Sequence, residues 1–258
     1  MNNIVINKCT YENIMKYICE YYTDNRIIVD SFWEAHVRES NFYIMEYNKN
    51  IIGYFAINNK EILTLFNIFE QYRNISQELF EIIKKYESVK EALIPIGDEF
   101  FISHAIDNYV KIEKQAYFSI YTQKKPKKIL DIKLDLANVE RDEKILNICH
   151  DFLKDDIVNI KKGMDEEIYI VRYENNVIGF GFIEYQKIVN IYASIGMIVC
   201  EEYRQKGFGS NILNGLKNIV KEKGLQAISG CWYYNHNSKK TMESAGAYSK
   251  TRLLRFYF

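Results

Sequence analysis

An internal repeat constrains this chain more than any other feature. Residues 42–57 read FYIMEYNKNIIGYFAI and align without a gap on residues 168–183, IYIVRYENNVIGFGFI. Identities fall at Tyr43/Tyr169, Ile44/Ile170, Tyr47/Tyr173, Asn50/Asn176, Ile52/Ile178, Gly53/Gly179 and Ile57/Ile183. In each copy, β-rich runs of Tyr, Ile, Val and Phe flank a polar turn containing Asn, the pattern of a β-hairpin. A second match follows. Glu70-Gln71-Tyr72-Arg73 resembles Glu201-Glu202-Tyr203-Arg204, again after an apolar strand and before helical spacing, the offset growing from 126 to 131 residues. A longer loop absorbs that difference. The repeat predicts two domains of similar fold, residues 1–125 and 126–258. They join near residues 122–128, a basic stretch containing Pro126 that reads as a linker or as an extended approach to the next strand.

The two copies differ in glycine. Of 12 glycines, only Gly53 and Gly97 precede residue 126. Glycine serves where the backbone needs positive φ or approaches a ligand closely, so the second copy holds most of the unusual backbone. With 48% apolar and 26% charged residues, the chain has material for a core. Its 34 basic and 34 acidic side chains balance, which argues against a general nucleic-acid binder. No apolar run approaches the roughly 18 residues that span a bilayer. The first residues lack a basic stretch followed by an apolar one. Cys9, Cys19, Cys149, Cys200 and Cys231 are odd in number and widely spaced, as reduced thiols are. Together these predict a cytoplasmic protein with no membrane partner.

In the second copy, residues 129–135 alternate like a strand and residues 140–153 carry apolar residues at helical spacing. Strands are expected at 168–173, 177–186 and 190–199. An amphipathic helix follows over 210–223, ended by Gly224. A strand at 227–233, a helix at 238–245 and β-rich residues 247–258 complete the order.

Chemistry concentrates between the third of these strands and the amphipathic helix, in Arg204-Gln205-Lys206-Gly207-Phe208-Gly209-Ser210. Two glycines one residue apart let a turn present successive backbone N–H groups to an anion. The next helix adds its positive end, and Arg204 and Lys206 add charge. The pattern implies a phosphate or pyrophosphate ligand. It is not a P-loop, since no Gly-Lys-Ser/Thr follows, and a dinucleotide fingerprint would need Gly where Ile212 stands.

Arg204-x-x-Gly207-x-Gly209, after a strand and before a helix, resembles the acetyl-CoA pyrophosphate motif of the GNAT superfamily of N-acetyltransferases. Asn235, Ser238, Glu243 and Gly246 resemble that family's later element, so the resemblance covers about residues 126–258. It implies an α/β (α+β) fold of two tandem GNAT-like domains, each a mixed, mostly antiparallel central sheet flanked by helices. It also implies acetyl-CoA as cosubstrate, no metal, and a primary amine as acceptor. The backbone from Gln205 through Lys206, Gly207, Phe208 and Gly209 to Ser210 would hold the pyrophosphate beside Arg204. Met197, Ile198 and Val199 would pair with the pantetheine arm, and Asn235, with Ser238 in register, would bind it near a splay between two parallel strands.

Two positions depart from the family. Met242 stands where a tyrosine often acts as general acid, and Ala193 where a carboxylate acts as base in some members. Neither side chain can move a proton. The catalytic residues are therefore unassigned, with Glu184, Tyr233 and Tyr234 as candidates against ordinary surface or packing roles. A non-catalytic acyl-CoA-binding or regulatory protein is the alternative. The first copy has Ser76 and Glu78 near where the glycines would stand, so only the second is expected to bind CoA. His36, His104, His150 and His236 show no metal-ligand spacing. Cys200 and Cys231 read as packed thiols rather than nucleophiles, and Phe32, Trp33, Phe100 and Phe101 as core. Oligomeric state and acceptor identity stay open.

Overall fold

The computed structural model describes residues 4–59, 61–86, 89–149, 157–158 and 166–258. Contacts divide the chain into two compact units, Met1–Tyr117 with Thr251–Phe258, and Phe118–Lys250.

The first unit runs β1 (Ile4–Cys9), α1 (Tyr11–Asp24), α2 (Ser31–Arg38), β2 (Asn41–Tyr47), β3 (Asn50–Asn58), β4 (Ile62–Ile68), a 3-10 turn (Glu70–Ile75), α3 (Ser76–Lys85), β5 (Glu91–Pro95) and α4 (Glu99–Ile106). β1 to β4 pair antiparallel in sequence order, and β4 and β5 are parallel. The core joins Tyr43, Phe55, Phe66, Phe80, Ile83, Ile94 and Phe101. Burying each such side chain contributes about 1.5–3 kcal/mol. Trp33 is fully buried as expected of a core residue, but Phe32, on the outer side of α2, is 48% exposed.

The second unit contains β7 (Lys133–Leu136), α5 (Glu143–Leu146), β8 (Glu166–Tyr173), β9 (Asn176–Tyr185), β10 (Tyr192–Val199), a 3-10 turn (Glu201–Tyr203), α6 (Phe208–Glu222), β11 (Gln226–Trp232) and α7 (His236–Ser244). β7 to β10 are antiparallel neighbours, and β10 and β11 are parallel. α6 buries Ile212, Leu213, Leu216 and Val220 against the sheet. It ends at Gly224 (φ 77°), where Gly224 N–H donates to Lys221 O and Leu225 N–H to Val220 O. That pair of bonds satisfies the last carbonyls and requires the left-handed residue that glycine supplies. The helix expected over 140–153 is α-helical at Glu143–Leu146 and continues as a 3-10 turn to Cys149. Its start is delayed because Asn138 Oδ1 accepts from the N–H groups of Glu140 and Arg141, a local turn that competes with helix. Residues 150–153 lie outside the described residues.

The repeat is legible atom by atom. Both hairpins turn on two left-handed residues, Asn48 and Lys49 in one and Glu174 and Asn175 in the other. Both carry a register shift at the same place, Met45/Glu46 and Val171/Arg172. A Cβ on Gly53 would lie 2.4 Å from Asn67 O, and one on Gly179 would lie 2.1 Å from Ile198 O. Glycine there lets the third strand of each copy cross its neighbour closely. Arg73 Nε donates to Ile68 O (3.3 Å), as Arg204 Nε donates to Val199 O (3.1 Å).

The closing strands are exchanged. β6 (Lys111–Tyr121) follows α4 of the first copy, yet it neighbours β11, and its residues 118–121 belong to the second unit. β12 (Ala247–Tyr257) follows α7 of the second copy, yet it pairs antiparallel with β5, from Leu253↔Pro95 to Tyr257↔Glu91. Phe256 is fully buried in the first unit's core, and Arg255 Nη1 bonds Glu91 Oε2 at 3.0 Å. Residues 251–258 therefore group with the first unit, which the expected halves 1–125 and 126–258 do not anticipate.

Candidate functional site

β10 and β11 form a fork. They pair at Tyr192↔Gln226, Ala193↔Ala227 and Ser194↔Ile228, and no further pair is formed. Past the apex, Ser229 Oγ donates to Ile195 O (2.6 Å) and shares a hydrogen bond with the Tyr121 hydroxyl (2.8 Å). A side chain thus satisfies a strand carbonyl that the missing partner leaves open. Burial pushes the Tyr121 phenol above its ordinary pKa.

At the open end of β10 the chain makes the turn that leads into α6. Gln205 (φ 61°) and Gly207 (φ 89°) are both left-handed. A Cβ on Gly207 would meet nothing within 4 Å, so its glycine serves conformation. Gly209 differs: a Cβ there would lie 2.9 Å from Thr241 Cγ2 and 3.2 Å from Met197 Cε, so its glycine serves close packing of α6 on α7. Phe208 anchors the helix start between the rings of Tyr173 and Tyr203. Asn211 fastens it to the preceding segment, donating to Lys128 O and accepting from Leu130 N–H, both at 3.0 Å. The positive end of a 15-residue helix is held rigidly at this turn.

A pocket of about 580 Å³ opens between the turn, the end of β10 and α7. Of the sequence-derived residues, Met197, Ile198, Val199, Arg204, Gln205, Gly207, Phe208, Gly209, Ser210, Asn235 and Ser238 line it. Lys206 does not. Its ammonium folds back to Glu202 O (2.8 Å), over the Tyr203 ring. Asn235 caps α7, accepting from Ser238 N–H at 3.1 Å. Tyr203, Asn237, Lys240, Thr241 and Ser244 also line the pocket and were not singled out in the sequence. The signal was there: positions 237, 241 and 244 fall on one face of a helix that already carries Asn235 and Ser238.

The catalytic candidates lie apart from this pocket. Glu184 sits on β9 opposite Ser194, near the fork's apex. Tyr233 and Tyr234 meet edge to face after β11, with Tyr234 54% exposed. Met242 and Ala193 are both buried in the second unit's core, at 4% and 0% exposure. Cys200 is buried and Cys231 packs partly against the same core. Among the described residues, no group of three or more His, Cys, Asp or Glu is placed to hold a metal ion. Nor is any helix among them long and apolar enough to cross a membrane.

The first unit has filled the equivalent space with its own side chains. α3 starts at Ser76, with no glycine turn before it. Ser76 Oγ donates to Arg73 O (2.7 Å) and contacts His104 Nε2 (2.8 Å). The Arg73 guanidinium lies 4.8 Å from the centre of the Phe100 ring, which stacks on Phe66. α4, the counterpart of α7, is thereby bonded directly to the start of α3. Its cap also differs. Asp98 occupies the place of Asn235 and is fully buried, accepting from Phe101 N–H, Tyr21 Oη (2.7 Å) and Tyr22 Oη (3.2 Å). Burial raises its carboxyl to a pKa of about 6 against those hydrogen bonds. Glu78 is exposed in the first turn of α3, and the aromatic plug rather than its charge closes the site.

Two family models match the chain, one in each copy of the repeat. Residues 10–122 match the model of an acetyltransferase (GNAT) domain, and residues 134–247 that of the acetyltransferase (GNAT) family. An acetyltransferase of the GNAT family from Colwellia psychrerythraea superposes with a TM-score of 0.86 at 19% identity, covering 98% of this chain and 99% of that one. A tandem GNAT protein from the clavulanic acid biosynthesis pathway gives a TM-score of 0.62 at 8% identity, covering 98% and 97%. At such identities the likeness shows the fold alone. No curated protein matches the sequence.

Proposed function

The chain belongs to the GNAT superfamily of acetyltransferases, with two such domains in tandem, and from that premise we propose that it transfers the acetyl group of acetyl-CoA to a primary amine. The observation that carries this reading is the rigid glycine turn in the wall of a pocket lined by Arg204 and Lys240 and by no carboxylate. Backbone N–H groups from Gln205 to Ser210 would hold the pyrophosphate, which the positive end of α6 favours. The edge of β10 at Met197–Val199 would pair with the pantetheine arm, and Asn235 would bind that arm. Acetyl transfer would take place toward the fork's apex. There the amine nitrogen attacks the thioester carbon, the C–S bond breaks toward sulfur, and a strand N–H stabilises the oxyanion. With Met242 and Ala193 buried and unable to exchange protons, water takes the amine's proton and the thiolate leaves unassisted. A thiol pKa near 8.5 permits that. The second unit alone would bind acetyl-CoA, the first serving a structural or acceptor-selecting role.

The same two buried positions favour a second reading, a non-catalytic acyl-CoA-binding or regulatory protein. Release of CoA, followed with a thiol dye over a broad amine panel, separates the two. Turnover with any amine supports the transferase. Saturable acetyl-CoA binding without turnover on any amine favours the sensor.

A further inference from the structure

CoA carries three phosphoryl groups, and the glycine turn accounts for two. The cations around the pocket are not equally available for the third. Arg204 is tied through Nε to Val199 O. Lys206 is turned onto Glu202 O. Lys239 is paired with Glu243 one helical turn on. The ammonium of Lys240, which lines the pocket from α7, makes no hydrogen bond or ion pair among the described residues; only the backbone carbonyl of this residue is engaged, by Ser244 Oγ. No Asp or Glu lines the pocket with it.

Lys240 also stands on a different element from the turn. Gly209 brings the start of α6 against Thr241, and Lys240, the next residue back along α7, lines the same pocket. Hydroxyls beside it are already committed, since Thr241 Oγ1 donates to Asn237 O and Ser244 Oγ donates to Lys240 O. Their oxygens can accept from a ligand, but the one charge this wall offers is the Lys240 ammonium.

We propose that Lys240 takes the 3′-phosphate of CoA, so that the pocket selects CoA over 3′-dephospho-CoA. The inference rests on the reading of the glycine turn as a pyrophosphate cradle, and it names a second, separable anion subsite on a different element, α7. A charge-assisted contact at an exposed position changes affinity by about tenfold at low salt, and screening weakens it as salt rises.

Titration calorimetry of the full chain with CoA and with 3′-dephospho-CoA tests it. The parent protein should bind CoA about tenfold more tightly than the dephospho form. Lys240→Gln should bring CoA down to the dephospho level while leaving dephospho-CoA affinity unchanged, and Lys239→Gln should leave the ratio intact. Equal loss for both ligands in Lys240→Gln would place the lysine on the pyrophosphate and overturn the assignment. So would an unchanged ratio in Lys240→Gln, or the same loss in Lys239→Gln. Binding of neither ligand by the parent protein defeats the cradle reading itself, and this inference with it. Lys240 is exposed on α7, and a melting curve for each variant verifies that the fold is kept.

Discussion

Replacing Asp98 by asparagine should remove a pH dependence of stability that runs against the usual direction for a carboxylate. In the folded protein this carboxyl titrates at about 6 rather than 3.8, because burial disfavours its charge more than its three donors favour it. The folded state therefore binds the proton more tightly than the unfolded state does. Stability gained from this group is complete below pH 3.8 and is lost as pH rises through 6. Across the whole window the shift is worth about 3 kcal/mol, from two units at ~1.4 kcal/mol each. Between pH 7.5 and pH 5, where most other carboxylates stay ionised, the gain is about 1.4 kcal/mol. His104 opposes it in the same window, since burial lowers its pKa and protonation below neutrality favours unfolding. Subtracting the Asp98→Asn curve from the parent curve cancels that term. Asparagine can still cap α4 through Oδ1, so the variant should fold. Urea unfolding is read by Trp33, which is fully buried and lies 4.9 Å from the Tyr22 ring, whose hydroxyl bonds Asp98. Trp232, at 61% exposure, contributes little change. A parent-minus-variant difference that is flat from pH 7.5 to 5, or that falls toward acid, would refute the argument.

Four further outcomes follow from the site. Gly209→Glu should abolish CoA binding while the protein keeps its circular dichroism, because the new side chain drives Thr241 and Met197 apart across the pocket; retained affinity sinks the cradle assignment. Gly207→Ala meets no neighbour and should cost only about 1–2 kcal/mol of left-handed strain, visible as a modest fall in Tm. Calorimetry should give one acetyl-CoA site per chain, since Arg73, Phe100, Ser76 and His104 close the first unit's counterpart; two equivalent sites contradict the plug. Ser229→Ala should destabilise by about 1–3 kcal/mol in denaturant titration, as Ile195 O and the Tyr121 hydroxyl lose a buried partner; a neutral effect means water replaces the serine.

Local features of both copies were legible in the sequence because they are written in short-range patterns. Paired hairpins show as β-rich runs around Asn turns. α6 shows as Ile212, Leu213, Leu216 and Val220 at helical spacing with Gly224 behind them. The turn at residues 204–210 shows through Gly207, which supplies left-handed backbone, and Gly209, which permits close packing. What was hidden depends on partners far along the chain. Ser76 and His104 meet across 28 residues, and neither residue type announces the other. Tyr121 finds Ser229 across 108. The β-rich composition of residues 247–258 states that they form a strand but not which edge they join, so their pairing with β5 was invisible. Asn138 shortened α5 by a side-chain bond that competes with the helix its neighbours' spacing suggests.

The exchanged strands bear on why a copy without an open pocket persists in the chain. Residues 118–121, encoded by the first copy, belong to the second unit and bring Tyr121 to the fork. Residues 251–258, which follow α7 of the second copy, complete the core of the first unit. Neither copy could be deleted, or expressed alone from its own half of the gene, without opening a sheet edge in the other. A copy without an open pocket still matters to the chain, because its neighbour's architecture is built partly from its residues.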